Sequence, residues 1–102
     1  MPVLDFLSQL RGEARGRVDA DIDFLASDLG LELGEPTYKH LRGRIWEIRT
    51  PTREGAIRVL FAADGGDAVL LHAFKKKTQR LPAGDLEAAD RRYADYVARK
   101  GK

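Results

Sequence analysis

The sequence predicts an α+β fold in which a small antiparallel sheet packs against N-terminal helices and is followed by a C-terminal helix. Apolar residues recur at helical spacing at both ends of the chain and alternate with polar residues in three segments between them. Turn residues at hairpin length separate these segments. With 102 residues, 43% of them hydrophobic, the chain suits one domain that spans residues 1–102.

The helices are predicted near residues 3–10, 13–29 and 82–99, because apolar residues recur there every three or four positions. Pro2 suits the first position of the first helix, and Gly30 is placed to end the second. The aspartates of the second segment alternate, so they point in different directions on a helix. That pattern is typical of a solvated surface rather than of a metal site.

The strands are predicted near residues 44–50, 56–63 and 68–75 and are expected to form an antiparallel meander. One face of this sheet collects large apolar side chains and should pack on the helices, since only there can so much apolar area leave water. The residues expected to be among the most buried are Trp46, Ile48, Val59, Phe61 and Leu71.

The opposite face is expected to be open and to carry Arg49, Arg58 and His72 beside Glu47. Two arginines on central strands would carry a desolvation cost without a partner, and Glu47 is the candidate partner. Because the neighbours of Arg58 point to the apolar face, we expect Arg58→Ala to remove a cation with little change in stability.

Charge is distributed unevenly along the chain. Residues 39–80 carry ten Lys and Arg against four Asp and Glu, whereas residues 1–38 carry three against eight. A basic middle region suits a polyanion, because lysine and arginine gain affinity by displacing phosphate counterions. Solvated surface charge explains the count equally well.

Composition also excludes several classes of site. The chain has no cysteine and two histidines, which excludes disulfides and thiolate metal sites, and neither a cofactor nor a metal is expected. No apolar run has the length of a membrane span, and the N-terminus lacks the pattern of a signal peptide. We therefore expect a cytoplasmic protein without membrane contact.

A cationic sheet face suits RNA cleavage by attack of the 2′-hydroxyl on the adjacent phosphate, a reaction that requires no metal. It needs cations around the phosphate, for which Arg58 and Arg49 are candidates. It also needs proton transfer, and His72 is of the residue type suited to that role near neutral pH. His72 would equally serve to fill the sheet face, and the lysine run at residues 75–77 would equally serve as a solubilising strand end.

Three segments carry a family resemblance: WEIR at 46–49, IRVLF at 57–61 and LLHAFKKKTQ at 70–79. With residues 39–43 before them and an arginine-rich helix after them, they resemble the HigB-type branch of the RelE/ParE superfamily of type II toxin–antitoxin toxins. The resemblance implies a small RNase that cuts mRNA on the translating ribosome. It also implies an antitoxin partner, typically a helix-turn-helix protein, and a homodimer or a toxin–antitoxin heterotetramer.

The family's basic cleavage residues correspond here to Arg49, Arg58, His72, Lys75 and Lys76. Further cations are expected to contact RNA, namely Lys39, Arg42, Arg44, Lys77 and Arg80. Family members usually have a strand before the first helix, whereas this chain begins at that helix. We therefore expect one unpaired sheet edge, open to pairing with another chain.

Two other functions fit the same residues. A ParE-like relative shares the fold and poisons a topoisomerase, although the lysine run and the paired arginines favour an RNase. A non-catalytic nucleic-acid-binding module would show the same charge pattern, because phosphate contacts need only lysine and arginine.

Overall fold

The computed structural model describes residues 2–10, 12–28, 38–53, 55–64, 67–75 and 83–100. Its elements are α1 (Pro2–Ser8), α2 (Gly12–Asp28), β1 (Tyr38–Arg42), β2 (Ile45–Thr52), β3 (Gly55–Asp64), β4 (Asp67–Lys75) and α3 (Ala83–Lys100). The α+β fold class is confirmed. Gly30, Lys76, Lys77, Arg80 and Pro82 lie outside the described residues. No helix in the described ranges has the length and apolar character to cross a membrane.

The sheet has four strands rather than the predicted three, in the order β1-β2-β3-β4, and all neighbours are antiparallel. The additional strand, β1, is five residues long, and only Tyr38 among them is fully buried. Its sequence, YKHLR, does not alternate apolar and polar residues, so the sequence pattern did not predict a strand there. The segment is a strand because its backbone pairs with that of β2.

The turn between β1 and β2 is built on Gly43, whose φ of 53° lies in the left-handed region. Glycine adopts that conformation without the steric cost that a Cβ atom would add. The pairing of β1 with β2 is irregular near this turn, because the register shifts between His40 and Arg42. The short turn fixes β1 beside β2.

The helices α1 and α2 cover one face of the sheet and form the first core. Its buried residues are Val3, Leu7, Val18, Leu25, Tyr38, Ile48, Ile57, Val59, Phe61 and Ala73. Trp46 was expected among the most buried residues, and that expectation is wrong: it is only partly buried and packs at the margin of this core. Its ring contacts the ring of His40, its partner on the edge strand, at a centroid distance of 4.9 Å.

A bulge in β4 changes which side chains face the first core. Leu60 pairs with His72 and Phe61 pairs with Leu70, so Leu71 is one extra residue on β4. An extra residue reverses the alternation of faces beyond it. Leu71 is buried as predicted, but on the opposite face from the one that the unbroken alternation predicted.

The second face of the sheet is also covered, by α3 over β3 and β4. Ile45, Leu60, Ala62, Leu71, Phe74 and Ala89 are buried there and form the second core. The expectation of an entirely open second face is therefore wrong. The α3 helix needs a partner for its apolar stripe, and this face supplies leucine and phenylalanine as well as the polar residues.

Candidate functional site

The candidate site begins with two arginines on neighbouring central strands. Arg49 on β2 and Arg58 on β3 are direct Cα partners, so both point to the face that carries α3. Arg49 is exposed, whereas the side chain of Arg58 is only 8% exposed. The sequence correctly predicted that these residues are adjacent, but it did not predict that one of them is buried.

Glu47 is the partner of Arg58, as the desolvation argument predicted. Its carboxylate Oε2 lies 3.1 Å from Nη1 of Arg58, and its side chain is 2% exposed. This ion pair does not have the geometry of a hydrogen bond. Within the described chain neither Glu47 Oε2 nor Arg58 Nε has a hydrogen-bond partner. Removing either side chain would leave the other charge buried without its counterion.

His72 connects β4 to α3 through both of its ring nitrogens. Arg92 donates from Nη1 to Nδ1 of His72 at 2.7 Å and also to the carbonyl oxygen of Leu71 at 2.8 Å. Since Nδ1 accepts, we assign the proton to Nε2, which donates to Oδ1 of Asp85 at 2.5 Å. This network occupies both nitrogens that proton transfer would use.

Lys75 ends β4 one ladder row beyond Arg58. Its Cα partner is Ile57, whose side chain belongs to the first core, so the register points Lys75 to the other face of the sheet. Lys75 is exposed, and its Cε atom lies 3.3 Å from an ideal Cβ position on Gly55. Lys75 is therefore one row from Arg58 in the sheet, but it lies on the opposite face from the two arginines.

Three further predicted cations lie on β1 and in the turn that leads to β2. Lys39 is the Cα partner of Glu47 and shares its face, Arg42 forms an ion pair with Asp90 of α3, and Arg44 lies in the turn that follows. All three are exposed. We call Lys39, Arg42, Arg44 and Arg49 the β1–β2 cationic strip.

Two residues of this region, Asp85 and Arg92, were not predicted from the sequence. They are seven positions apart on α3 and therefore lie on one side of that helix, which turns them toward His72. That spacing was visible in the sequence, but its significance depends on α3 packing over β4. Across the described ranges, no group of three His, Asp or Glu side chains is arranged to hold a metal ion.

Comparison with known protein families identifies the family of this chain. Residues 5–94 match the family described as phage derived protein Gp49-like (DUF891), so the match includes the whole sheet, both N-terminal helices beyond residue 4 and most of α3. No curated protein shows significant similarity to the chain.

Proposed function

This chain belongs to the Gp49-like family of phage-derived proteins, a toxin-like family of the RelE/HigB type, and from that premise we propose that it is the toxin of a type II toxin–antitoxin system. We further propose the HigB-type activity, which is endonucleolytic cleavage of mRNA on the translating ribosome. The observation that carries this proposal is the exposed Arg49 beside the buried Arg58 on the face that also bears the β1–β2 cationic strip.

In this mechanism Arg49 makes the direct phosphate contact. It is exposed, and the described residues offer it no ion-pair partner, so its guanidinium is available for bidentate contact with two phosphate oxygens. A cation already fixed at the phosphate stabilises the charge that develops there during attack.

Arg58 acts on the same phosphate from below the surface. Its charge is balanced by Glu47 in the free protein, and the direct Cα pairing keeps it close to Arg49. An arriving phosphate places a second anion beside the two guanidinium groups, which relieves their mutual repulsion across the ladder. Because Glu47 balances its charge, Arg58 acts through its position: Glu47 holds its guanidinium group beside Arg49.

The reaction forms a bond between the 2′-oxygen and phosphorus and breaks the bond between phosphorus and the 5′-oxygen. The 2′-hydroxyl gives up a proton and the leaving 5′-oxygen takes one, so the products are a 2′,3′-cyclic phosphate and a 5′-hydroxyl. Of the candidate residues, Lys75 points to the opposite face of the sheet from Arg49, so we assign proton transfer to Lys76, the next residue in the sequence, ahead of His72. The reason is that Arg92 and Asp85 already occupy both ring nitrogens of His72.

An antitoxin, proposed as a helix-turn-helix protein, would neutralise this surface either by covering the β1–β2 cationic strip or by keeping the toxin away from the ribosome. An acidic segment fits the strip, because most of its cations are not paired with carboxylates in the described chain. Co-expression with the protein encoded beside this gene should restore growth. A stable complex that leaves RNA cleavage unchanged would contradict the toxin assignment.

Single-turnover cleavage of a defined mRNA on programmed ribosomes tests the activity. Arg49→Ala should slow cleavage by about 10²–10³, the usual cost of losing one fixed donor to a transition-state anion. Arg91→Ala is the matched control, because Arg91 is exposed on α3 and lies outside the strip. Cleaved DNA bound to a topoisomerase, with intact mRNA, would instead identify a ParE-like poison. RNA binding without cleavage by the wild type would identify a non-catalytic module.

A further inference from the structure

A cavity of about 450 Å³ lies at the end of the sheet where β3 finishes, away from Arg49. Its lining residues are Arg44, Asp64, Tyr93, Tyr96, Val97 and Lys100. Arg44 precedes β2, and Arg49 lies four residues beyond the first residue of that strand. Arg44 is thus five positions from Arg49, which places the cavity about 17 Å along the strand from Arg49 at the rise of an extended chain.

Two tyrosines form one wall of the cavity. The ring planes of Tyr93 and Tyr96 differ by 18°, and their centroids are 6.4 Å apart. The Tyr96 hydroxyl donates to Oδ2 of Asp64 at 2.6 Å, which fixes the orientation of its ring. Beside them Val97 is 47% exposed. Near-parallel, partly exposed rings provide a surface on which a flat base can stack.

The charged groups of the cavity are arranged in two parts. Lys100 and Tyr96 both donate to Oδ2 of Asp64, and these hydrogen bonds lower the pKa of the Asp64 carboxyl below its ordinary value. Its other oxygen, Oδ1, has no hydrogen bond within the described ranges. Arg44 is exposed at the mouth, and its charge also acts on Asp64 to lower the pKa of that carboxyl. The cavity thus combines an ionised acceptor, aromatic rings and an exposed cation.

We propose that this cavity binds one nucleotide of the RNA strand, with its base stacked on the tyrosines, its phosphate on Arg44 and its exocyclic amino group donating to Asp64 Oδ1. The inference rests on the proposed function, which it deepens by naming a second contact on the substrate. Cytosine, adenine and guanine carry the required amino group, whereas uracil does not. Uracil is therefore the disfavoured base.

The β1–β2 cationic strip connects this cavity to Arg49. Lys39 and Arg42 lie on β1 between the two positions, and Arg42 forms its ion pair there with Asp90 of α3. A strand bound along the strip would place one phosphate at Arg49 and a nucleotide farther along at the cavity. An acidic peptide segment fits the cavity less well, because the ionised Asp64 would repel it.

Direct binding of fluorescein-labelled single-stranded RNA octamers, measured by anisotropy without ribosomes, tests the proposal. Tyr93→Leu should weaken binding of an oligocytidine about 5- to 100-fold, since base–aromatic stacking contributes on that scale. Arg44→Ala should reduce the slope of log K against log salt by about 0.7, the value for one phosphate contact on a single strand. Arg91→Ala changes the same formal charge and should leave both quantities as in the wild type. Asp64→Ala, which removes the acceptor, should reduce the preference for oligocytidine over oligouridine.

The outcomes separate this inference from the proposed activity. Wild-type cleavage combined with octamer binding that is insensitive to Arg44→Ala and Tyr93→Leu would overturn the nucleotide site and leave the toxin assignment standing. Equal weakening by Arg44→Ala and Arg91→Ala would also overturn it. Binding of polyglutamate with the same dependence on Arg44 and Tyr93 would show a peptide site instead. Binding that depends on both residues, in a protein that does not cut mRNA, would support the site and refute the RNase.

Discussion

Arg58→Ala should destabilise the protein strongly, contrary to the expectation from sequence alone. The substitution leaves the carboxylate of Glu47, which is 2% exposed, buried without its counterion. Removing one partner of a buried ion pair costs about 3–5 kcal/mol. Domains of this size have about 5–15 kcal/mol of stability in total, so a large fraction would be lost.

The assay is denaturant unfolding at neutral pH followed by circular dichroism, with a thermal melt as a second measurement. At about 4–8 °C per kcal/mol, a loss of 3 kcal/mol lowers the melting temperature by at least about 12 °C. Arg49→Ala is the matched control, because Arg49 is exposed on the partner strand, and it should change stability by less than about 0.5 kcal/mol.

A second variant separates the loss of the pair from the loss of packing. Replacing Glu47 and Arg58 together by methionine removes both charges and keeps comparable volume. Such replacements of buried pairs are often neutral or stabilising, so the double variant should recover most of the loss. The reasoning would be refuted if Arg58→Ala cost less than about 1 kcal/mol, or if the double variant were less stable than Arg58→Ala.

This prediction affects how toxicity experiments are read. A non-toxic Arg58→Ala variant would not by itself show that Arg58 acts on RNA, because an unfolded protein is also non-toxic. Arg49→Ala gives the cleaner test of the phosphate contact, since its side chain is exposed and the fold does not depend on its charge.

Two further predictions concern stability. Because hydrogen bonds lower the pKa of Asp64 below its ordinary value of 3.8, its carboxylate contributes stability above that pH, and the contribution is lost as the pH falls through the lower folded-state pKa. Asp64→Asn should therefore flatten the acid limb of the stability–pH profile, whereas Asp23→Asn, at an exposed position on α2, should reproduce the wild-type limb. Gly43→Ala should cost about 1–2 kcal/mol, because φ at Gly43 is 53°, while Gly16→Ala in an exposed helical turn should add about 0.5–1 kcal/mol. Equal effects of the two alanine substitutions, measured by denaturant unfolding, would contradict the assignment of backbone strain at Gly43.

The sequence by itself determined the elements that have a clear period. Three strands and three helices follow from alternation and from helical spacing, and the structure has each of them within a few residues of its predicted bounds. The sequence also determined that Arg58 needed a counterion and that Glu47 was available, because desolvation cost depends on residue type and strand position.

Only the tertiary structure decided the features that depend on contacts between distant segments. Strand β1 has no period of its own and exists because β2 pairs with it. The bulge at Leu71 moves the side chains of the preceding β4 residues to the opposite face of the sheet. The local sequence pattern does not predict this bulge. Packing of α3 over β4 then buries the second face and engages His72 through Asp85 and Arg92. The period of apolar residues shows which side of a single helix or strand avoids water. Which residues are buried, and which partners they contact, depends on the other element that packs there.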